Sequence, residues 1–529
     1  MPKTIRTIVL LAALAPLTAR ADGMYEVSTG LPYDVEHPVD LVGGSGELYM
    51  RWVPLCDDGS GDHEWSRNPA AGIAPTCASD EYIRCIDGTR PTYYLDKARN
   101  LANSADITSD TWVFWFQGGG SCSDRDALGA GETCWDDYAN PGETGEMGST
   151  GNTRRIAGGG ILDPNRAENE FKRSNRVQIK KCTYDRFTGA AELLSTPNGD
   201  GDDIDLYWHG RRTIAAVLSD LEDGAAYKHG GVDVVLPPLA DAEGVLFSGH
   251  SGGSGGVIMN GDWMAEEVLA IAPTAEVRLL VDERFEPSLE NEPGFDGGFT
   301  VPDDDDNGDG VIDIWDHIAP TTANPGTLPG GGAYHRGAYR PGGGVAAQQD
   351  QWNVSLDASC ELALGAGDAR CRNEFHVLAN HVTTPFFVRQ ALRDAHQING
   401  GYSFADDPTF RFTEAEYRAR VFQQIDSFVE GHHNDSMAAT GEAGIPAPTW
   451  ALGVFASDTT VHAGDHDAFE FFDVKLCEVG VGTGPADAFS YHDALFRWLD
   501  SDTETIAVED PAAFAGEYCN AAEPTCDCF

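Results

Sequence analysis

Positive charge is scarce in this sequence. Only 35 lysines and arginines stand against 85 aspartates and glutamates in 529 residues, for a formal net charge of -50. A surface of that sign repels nucleic acid and anionic lipid, so neither is expected as a partner. It also repels itself at low ionic strength. Salt near 1 M shortens the screening length to about 3 Å, so a saline or halophilic setting is expected. Beyond the N-terminus no stretch is apolar for the ~20 residues a spanning helix needs, so no later membrane-spanning helix is expected, and an N-terminal anchor stays as the alternative to a cleaved signal. No repeated C-x-x-C spacing marks a zinc site, and no internal repeat marks a solenoid.

The first residues have the pattern of a secretory signal. Lys3 and Arg6 precede the apolar run from Ile8 to Leu17, and Ala19-Arg20-Ala21 offers a small-x-small cleavage site. Residues 1–21 are therefore expected to be removed near Ala21, leaving a secreted protein, extracellular or periplasmic. Loss of Lys3, Arg6 and Arg20 makes the mature chain more acidic still. Twelve cysteines suit an oxidising compartment. Short separations suggest the pairs Cys122/Cys134, Cys360/Cys371 and Cys77/Cys85, with Cys519, Cys526 or Cys528 tying down the tail.

Residues 22–105 read as a loop-rich N-terminal segment. A regular pattern then runs over 106–500. Trp112 to Phe116 is a short, wholly apolar run that ends in Gln117-Gly118-Gly119-Gly120, a buried strand entering a glycine loop. Further strands are expected at Val177–Ile179, 244–248, 277–281, 385–388 and 450–455. Helices are expected over 211–222 and 252–269, and from the capping box Thr413-x-x-Glu416 to about Val429. Strands alternating with helices predict an α/β fold: a mostly parallel central sheet flanked by helices. A Gly-, Pro- and Asp-rich insertion at 284–350 interrupts the rhythm. Residues 501–529 form an acidic, cysteine-containing tail.

Phe247-Ser248-Gly249-His250-Ser251-Gly252-Gly253 holds G-x-S-x-G between an expected strand and an expected helix. This is the context of a nucleophile elbow, in which a tight turn presents a serine hydroxyl at the carboxyl end of the strand. Gly252 to Gly256 also satisfies the pattern and makes Ser254 the alternative. Ser251 comes where the strand ends; Ser254 would lie a turn into the helix. The loop Gly118 to Gly120 could supply backbone donors to an oxyanion.

Several ordered pieces resemble the pectin acetylesterase family, which includes Notum-type carboxylesterases. The segment WVFWFQGGGSC (Trp112 to Cys122) is similar to the family's strand and Gly-Gly-Gly-Trp-Cys. Residues 175–189, Trp208 to Arg212 and Ser248 to Gly253 resemble its later segments in order. The resemblance implies an α/β-hydrolase fold and a serine esterase acting through an acyl-enzyme. It places the acid at Asp394, in a segment that also holds His396, and the base at His462, with His466 as the alternative base. The backbone amides of Gly119, Gly120 and Gly252 would form the oxyanion hole. No cofactor is implied for catalysis. The expected substrate is a carboxylic ester, with polysaccharide O-acetyl groups favoured. The alternatives are a broader carboxylesterase on lipid, aryl or polyester substrates and a catalytically dead carbohydrate-binding protein. A monomer is expected. The chain departs from the family at Ser121, where tryptophan is usual, and at His250 and Asp458, where cysteine is usual.

Within the insertion, Asp305, Asn307, Asp309, Val311, Asp313 and Asp316 fall at the ligand positions of an EF-hand-type loop, with Gly310 at its sharp turn. A structural calcium ion is expected there.

Overall fold

The computed structural model describes residues 47–53, 83–102, 105–122, 134, 147–149, 152, 155–197, 203–229, 232–284, 352–372, 374–398, 417–418, 421, 425, 453–477, 488–501 and 505–508. The expected signal segment, the calcium loop with Asp305, Asn307, Asp309, Val311, Asp313 and Asp316, and cysteines 519, 526 and 528 lie outside the described residues. So do most of the insertion and Cys77.

The short apolar runs form strands because each is buried on both faces. In chain order the strands begin with β1 (Glu47–Trp52), β2 (Thr92–Asp96), β3 (Thr111–Phe116), β4 (Arg155–Ala157) and β5 (Asn175–Ile179). Two hairpins follow, β6 (Ala191–Pro197) with β7 (Asp203–Trp208) and β8 (Ala225–His229) with β9 (Val232–Leu236). Helix α1 (Gly210–Leu221) lies between the hairpins. Then come β10 (Gly244–His250), α2 (Gly252–Ile271), β11 (Glu276–Asp282), α3 (Ala358–Leu364), α4 (Glu374–Asn380), β12 (Phe386–Ala391) and β13 (Gly453–Ser457). The described chain ends with α5 (Ala468–Phe472), β14 (Lys475–Cys477), β15 (Ala488–Ser490), α6 (Tyr491–Ser501) and β16 (Thr505–Val508).

Ten strands make one sheet in the order β16-β13-β12-β11-β10-β3-β5-β2-β1-β4. From β16 to β5 all neighbours are parallel, and β2 turns antiparallel to β5. This is the mostly parallel sheet predicted from the sequence. One face carries Phe114, Phe116, Phe247, Leu279 and Val388 beneath α1 and α2; the other carries Val113, Trp115, Leu280, Phe387 and Phe455 beneath α6. Each such side chain taken fully out of water contributes about 1.5–3 kcal/mol.

Helix α1 buries Ile214, Val217, Leu218 and Leu221, the residues whose spacing predicts it. Gly224, at φ 89°, closes it by donating its N–H to Leu221 O at 2.9 Å. In the segment expected to be helical from the Thr413 box, the described positions 417, 418, 421 and 425 are helical, and Tyr417, Val421 and Ile425 are buried along one face.

Three features differ from expectation. The boundary at 105 does not separate structural units: β1 and β2, in the segment read as loop-rich, belong to the main sheet. At the other end β16 lies within the expected tail yet pairs with β13. The Cys77/Cys85 pairing is corrected, because Cys85 bonds Cys182 across a Cα separation of 4.9 Å. Cys85 leads into β2 and Cys182 follows β5, and the antiparallel pairing of these strands (Tyr93↔Ile179) brings the two together. The pairs Cys122–Cys134 and Cys360–Cys371 form as expected.

Candidate active site

Strand register sets the height of the site. His250, Asp282, Arg389 and Phe455 share one row across β10, β11, β12 and β13. The chain leaves β10 at Ser251, which adopts φ 52° and ψ -124° and serves as N-cap of α2. A serine rarely accepts this backbone, and the strain is held by packing. Its N–H donates to Asp282 O at 3.0 Å, and its carbonyl accepts from Gly255 N at 3.1 Å.

The elbow glycines are sterically required. A Cβ on Gly249 would meet Gly253 C at 2.8 Å, and one on Gly253 would overlap Phe116 O. Gly119, at φ 138°, turns its carbonyl against Gly252, where a Cβ would collide with it. The glycine loop and the head of α2 therefore touch main chain to main chain. As the first residue of a helix with no side-chain cap, Gly252 keeps an orphan amide. Among the described residues, no hydrogen bond fills the amides of Gly119 or Gly120. Gly119, Gly120 and Gly252 thus leave three unbonded amides close to a helix N-terminus, where negative charge is favoured.

Ser254 is engaged elsewhere. Its hydroxyl contacts Gly249 O, donates to Asp282 O at 2.9 Å and accepts from Asp282 N at 2.8 Å. It is fully buried and stitches α2 to the ends of β10 and β11.

Asp394 and His462 come together from loops after β12 and β13. His462 Nδ1 lies 2.6 Å from Asp394 Oδ2. Asp394 Oδ1 accepts the amides of His396 at 2.8 Å and Gln397 at 3.0 Å, which fixes the buried carboxylate. That leaves His462 Nε2, which is buried and makes no hydrogen bond among the described residues. The His396 ring packs on His462 at 4.4 Å and is exposed. His466 turns another way, onto Trp115 at 4.7 Å, with its pKa lowered chiefly by burial. His250 joins this ring cluster at 5.1 Å from Trp115. Burial, helped by the positive fields of His466, His462 and Lys181, pushes its pKa down to about 3, so it is neutral at ordinary pH.

Beneath the row lies a network of buried charge. Arg389 bonds Asp282 Oδ1 at 3.1 Å, contacts Glu283 and Glu470 closely, and donates to Val461 O at 3.1 Å. Asp465 accepts from Ser248 Oγ at 2.6 Å and Trp115 Nε1 at 2.8 Å, and its N–H contacts Asp282. Burial raises the pKa of both acids; at Asp282 it outweighs the Arg389 cation and is joined by repulsion from Asp465, and at Asp465 it outweighs the Ser248 hydrogen bond. The network clamps the loop that carries His462. Asp458, buried beside it, pairs with Arg418 at 3.1 Å.

The sequence reading missed Glu283, Lys181 and Asp465 as parts of the site. Only the charged run Asp282-Glu283-Arg284, directly after an apolar strand, hinted at the first. Lys181 runs along Gly119 and sets its ammonium 3.7 Å over the Tyr184 ring. Donor atoms of Glu283, Asp394 and His462 lie within 4.8 Å of one another. The Glu283 carboxylate and Asp394 Oδ1 accept N–H donors, and Asp394 Oδ2 meets His462 Nδ1.

A mostly parallel sheet with a strand, a serine at positive φ and a helix, and with an acid and an imidazole in loops after two later strands, has the form of an α/β-hydrolase fold. Within that class, residues 76–285 match the family model described as Pectinacetylesterase. Pectin acetylesterase 7 of Arabidopsis thaliana is 26% identical over 204 residues, covering 38% of this chain and 42% of that protein. Palmitoleoyl-protein carboxylesterase NOTUM of Homo sapiens is 26% identical over 202 residues, 38% of this chain and 34% of that protein. The matched part thus spans less than half the length of these relatives. The solved structure of the Wnt deacylase Notum from Drosophila superposes with a TM-score of 0.50 at 18% identity, covering 81% of this chain and 93% of that one. The chain is similar in sequence to pectin acetylesterases and Notum-type carboxylesterases, and similar in fold to Notum.

Proposed function

We propose that this protein is an exported serine esterase that removes acyl groups, acetyl foremost, from a carboxylic ester, with polysaccharide O-acetyl groups as the favoured substrate. The observation that carries this reading is the His462–Asp394 contact of 2.6 Å in a fold whose strand–helix elbow presents Ser251. Ser251 Oγ attacks the acyl carbonyl as His462 Nε2 takes its proton. Asp394 holds the Nδ1–H tautomer and supports the imidazolium. The amides of Gly119, Gly120 and Gly252 receive the oxyanion. The alcohol leaves with the proton from His462, and water, activated by the same nitrogen, releases the acid. Names of relatives that are esterases support the class of reaction. Disulfides support export. Among the described residues no helix is long and apolar enough to cross a membrane. A structural calcium ion in the loop with Asp305, Asn307, Asp309, Val311, Asp313 and Asp316 belongs to the same proposal and rests on the ligand spacing.

Hydrolysis of p-nitrophenyl acetate, butyrate and octanoate by wild type, Ser251→Ala and Ser254→Ala tests it. Ser251→Ala is expected to lose at least about 10³-fold in kcat with its fold intact. Rates falling from acetate to octanoate would support a deacetylase. Full activity in Ser251→Ala would overturn the assignment.

A further inference from the structure

Glu283 stands one strand over from Ser251, at the same height. His250 pairs with Asp282 in the register, so Ser251 and Glu283 are the first residues past β10 and β11. Glu283 takes φ 58°, a left-handed backbone that a glutamate seldom adopts, and it is fully buried. Its main chain is fixed at both ends: its N–H donates to Arg389 O at 3.0 Å, and its carbonyl accepts from Gln397 Nε2 at 3.0 Å. Its carboxylate accepts from Ala391 N at 2.8 Å and Gln390 Nε2 at 2.7 Å. Tyr417 donates to Gln397 at 2.6 Å and accepts from Gln390 at 2.9 Å, closing the ring of contacts. A buried, strained carboxylate held this firmly brings an oxygen within 4.8 Å of both Asp394 and a His462 ring nitrogen.

We infer that Glu283 is a positioning residue for His462, a second buried carboxylate that supports the imidazole beside Asp394. This rests on the reading of Ser251, Asp394 and His462 as the triad. The charge needed to hold the imidazolium is then shared. Asp394 supplies the hydrogen bond, and Glu283 supplies field from the neighbouring strand, with Arg389 behind it limiting repulsion between the two acids. Among the described residues, His396 from the loop after β12 packs on His462, His250 from β10 lies within its field, and Asp458, Asp465 and His466 share its loop. Of these, His250 is neutral, Asp458 is paired with Arg418, and Asp465 is turned to Ser248 and Trp115.

The test is the pH profile of kcat/KM on p-nitrophenyl acetate for wild type, Glu283→Gln, Asp394→Asn and the double variant. Ser251→Ala is run beside them. Removing a negative charge makes imidazolium less stable, so the acid limb should move to lower pH in Glu283→Gln, by about half to one unit. Loss of a triad acid alone can cost about 10⁴ in kcat. Asp394→Asn is expected to lose less, about 10²-fold, and the double variant at least tenfold more. An acid limb that does not move in Glu283→Gln overturns the inference, whatever happens to kcat. If that variant does not fold, Glu283→Asp, which withdraws the charge by one methylene, is read the same way: a smaller downward shift supports the inference and an unmoved limb overturns it. Activity surviving in Ser251→Ala would instead sink the triad reading, an outcome separate from the behaviour of Glu283.

Discussion

Around Ser251 the decisive contacts are between main-chain atoms. Gly253 lies against Phe116 O, Gly252 against Gly119 O, and Ser251 N–H on Asp282 O. Around His462 they are mostly between charged side chains, Asp394, Glu283, Arg389, Glu470 and Asp282, with Asp465 joined to Asp282 through its N–H. One half of the site is shaped by sterics, which act over a few tenths of an ångström and do not respond to pH. The other is shaped by electrostatics in a medium where desolvation is costly, so it holds together only if every charge is answered. The two halves should therefore fail in different ways.

The largest effect should come from the charged half. Arg389→Met leaves buried carboxylates without their cation and should cost about 3–5 kcal/mol of stability, read by urea unfolding. A loss below about 1 kcal/mol would mean that the acids are already neutral and the network is not ionic. Next comes the main-chain half. Gly119→Ala should lower kcat by about 10²-fold through a displaced oxyanion donor, with about 1–3 kcal/mol lost to a side chain at φ 138°. An unchanged kcat would remove Gly119 from the oxyanion hole. The smallest effect sharpens the contrast at the rim. Burial would raise the pKa of Glu374, but Arg284 and Arg186 outweigh it and bring it to about 2, against an ordinary value of 4.5. A carboxyl lowered on folding stabilises above its unfolded pKa, so this contribution should fade as pH falls from about 4.5 towards 2. The fall in melting temperature over that window should be shallower in Glu374→Gln, and an equal slope would refute the assignment.

The two halves also differ in how well the sequence revealed them. The elbow and glycine loop follow local rules: short apolar strands, then glycine where the backbone must pass close. Phe247 to Gly253 and Trp112 to Gly120 show those rules within a few residues. Asp394 and His462 became visible only through family resemblance, because an acid and a base on separate loops share no local signal. Glu283 carried only the faint hint of a charged run at the end of an apolar strand. In a chain with 85 acidic residues, one more aspartate or glutamate after a strand has no distinctive spacing, and its burial depends on Arg389 more than a hundred positions away. The Cys85–Cys182 bond was hidden for the same reason. Sequence proximity favoured Cys77, whereas the antiparallel pairing of β2 with β5 decided the partner. Strands β1 and β2 sit among Pro, Gly and Asp, and their place in the sheet comes from tertiary pairing more than local pattern.

That disulfide divides the chain by order of arrival. Its ring encloses β3 and the glycine loop, while Ser251, Asp394 and His462 all come later. A chain exported from its N-terminus would close the ring around the glycine loop before Ser251 had emerged. The later elements would then dock onto a cradle already tied shut.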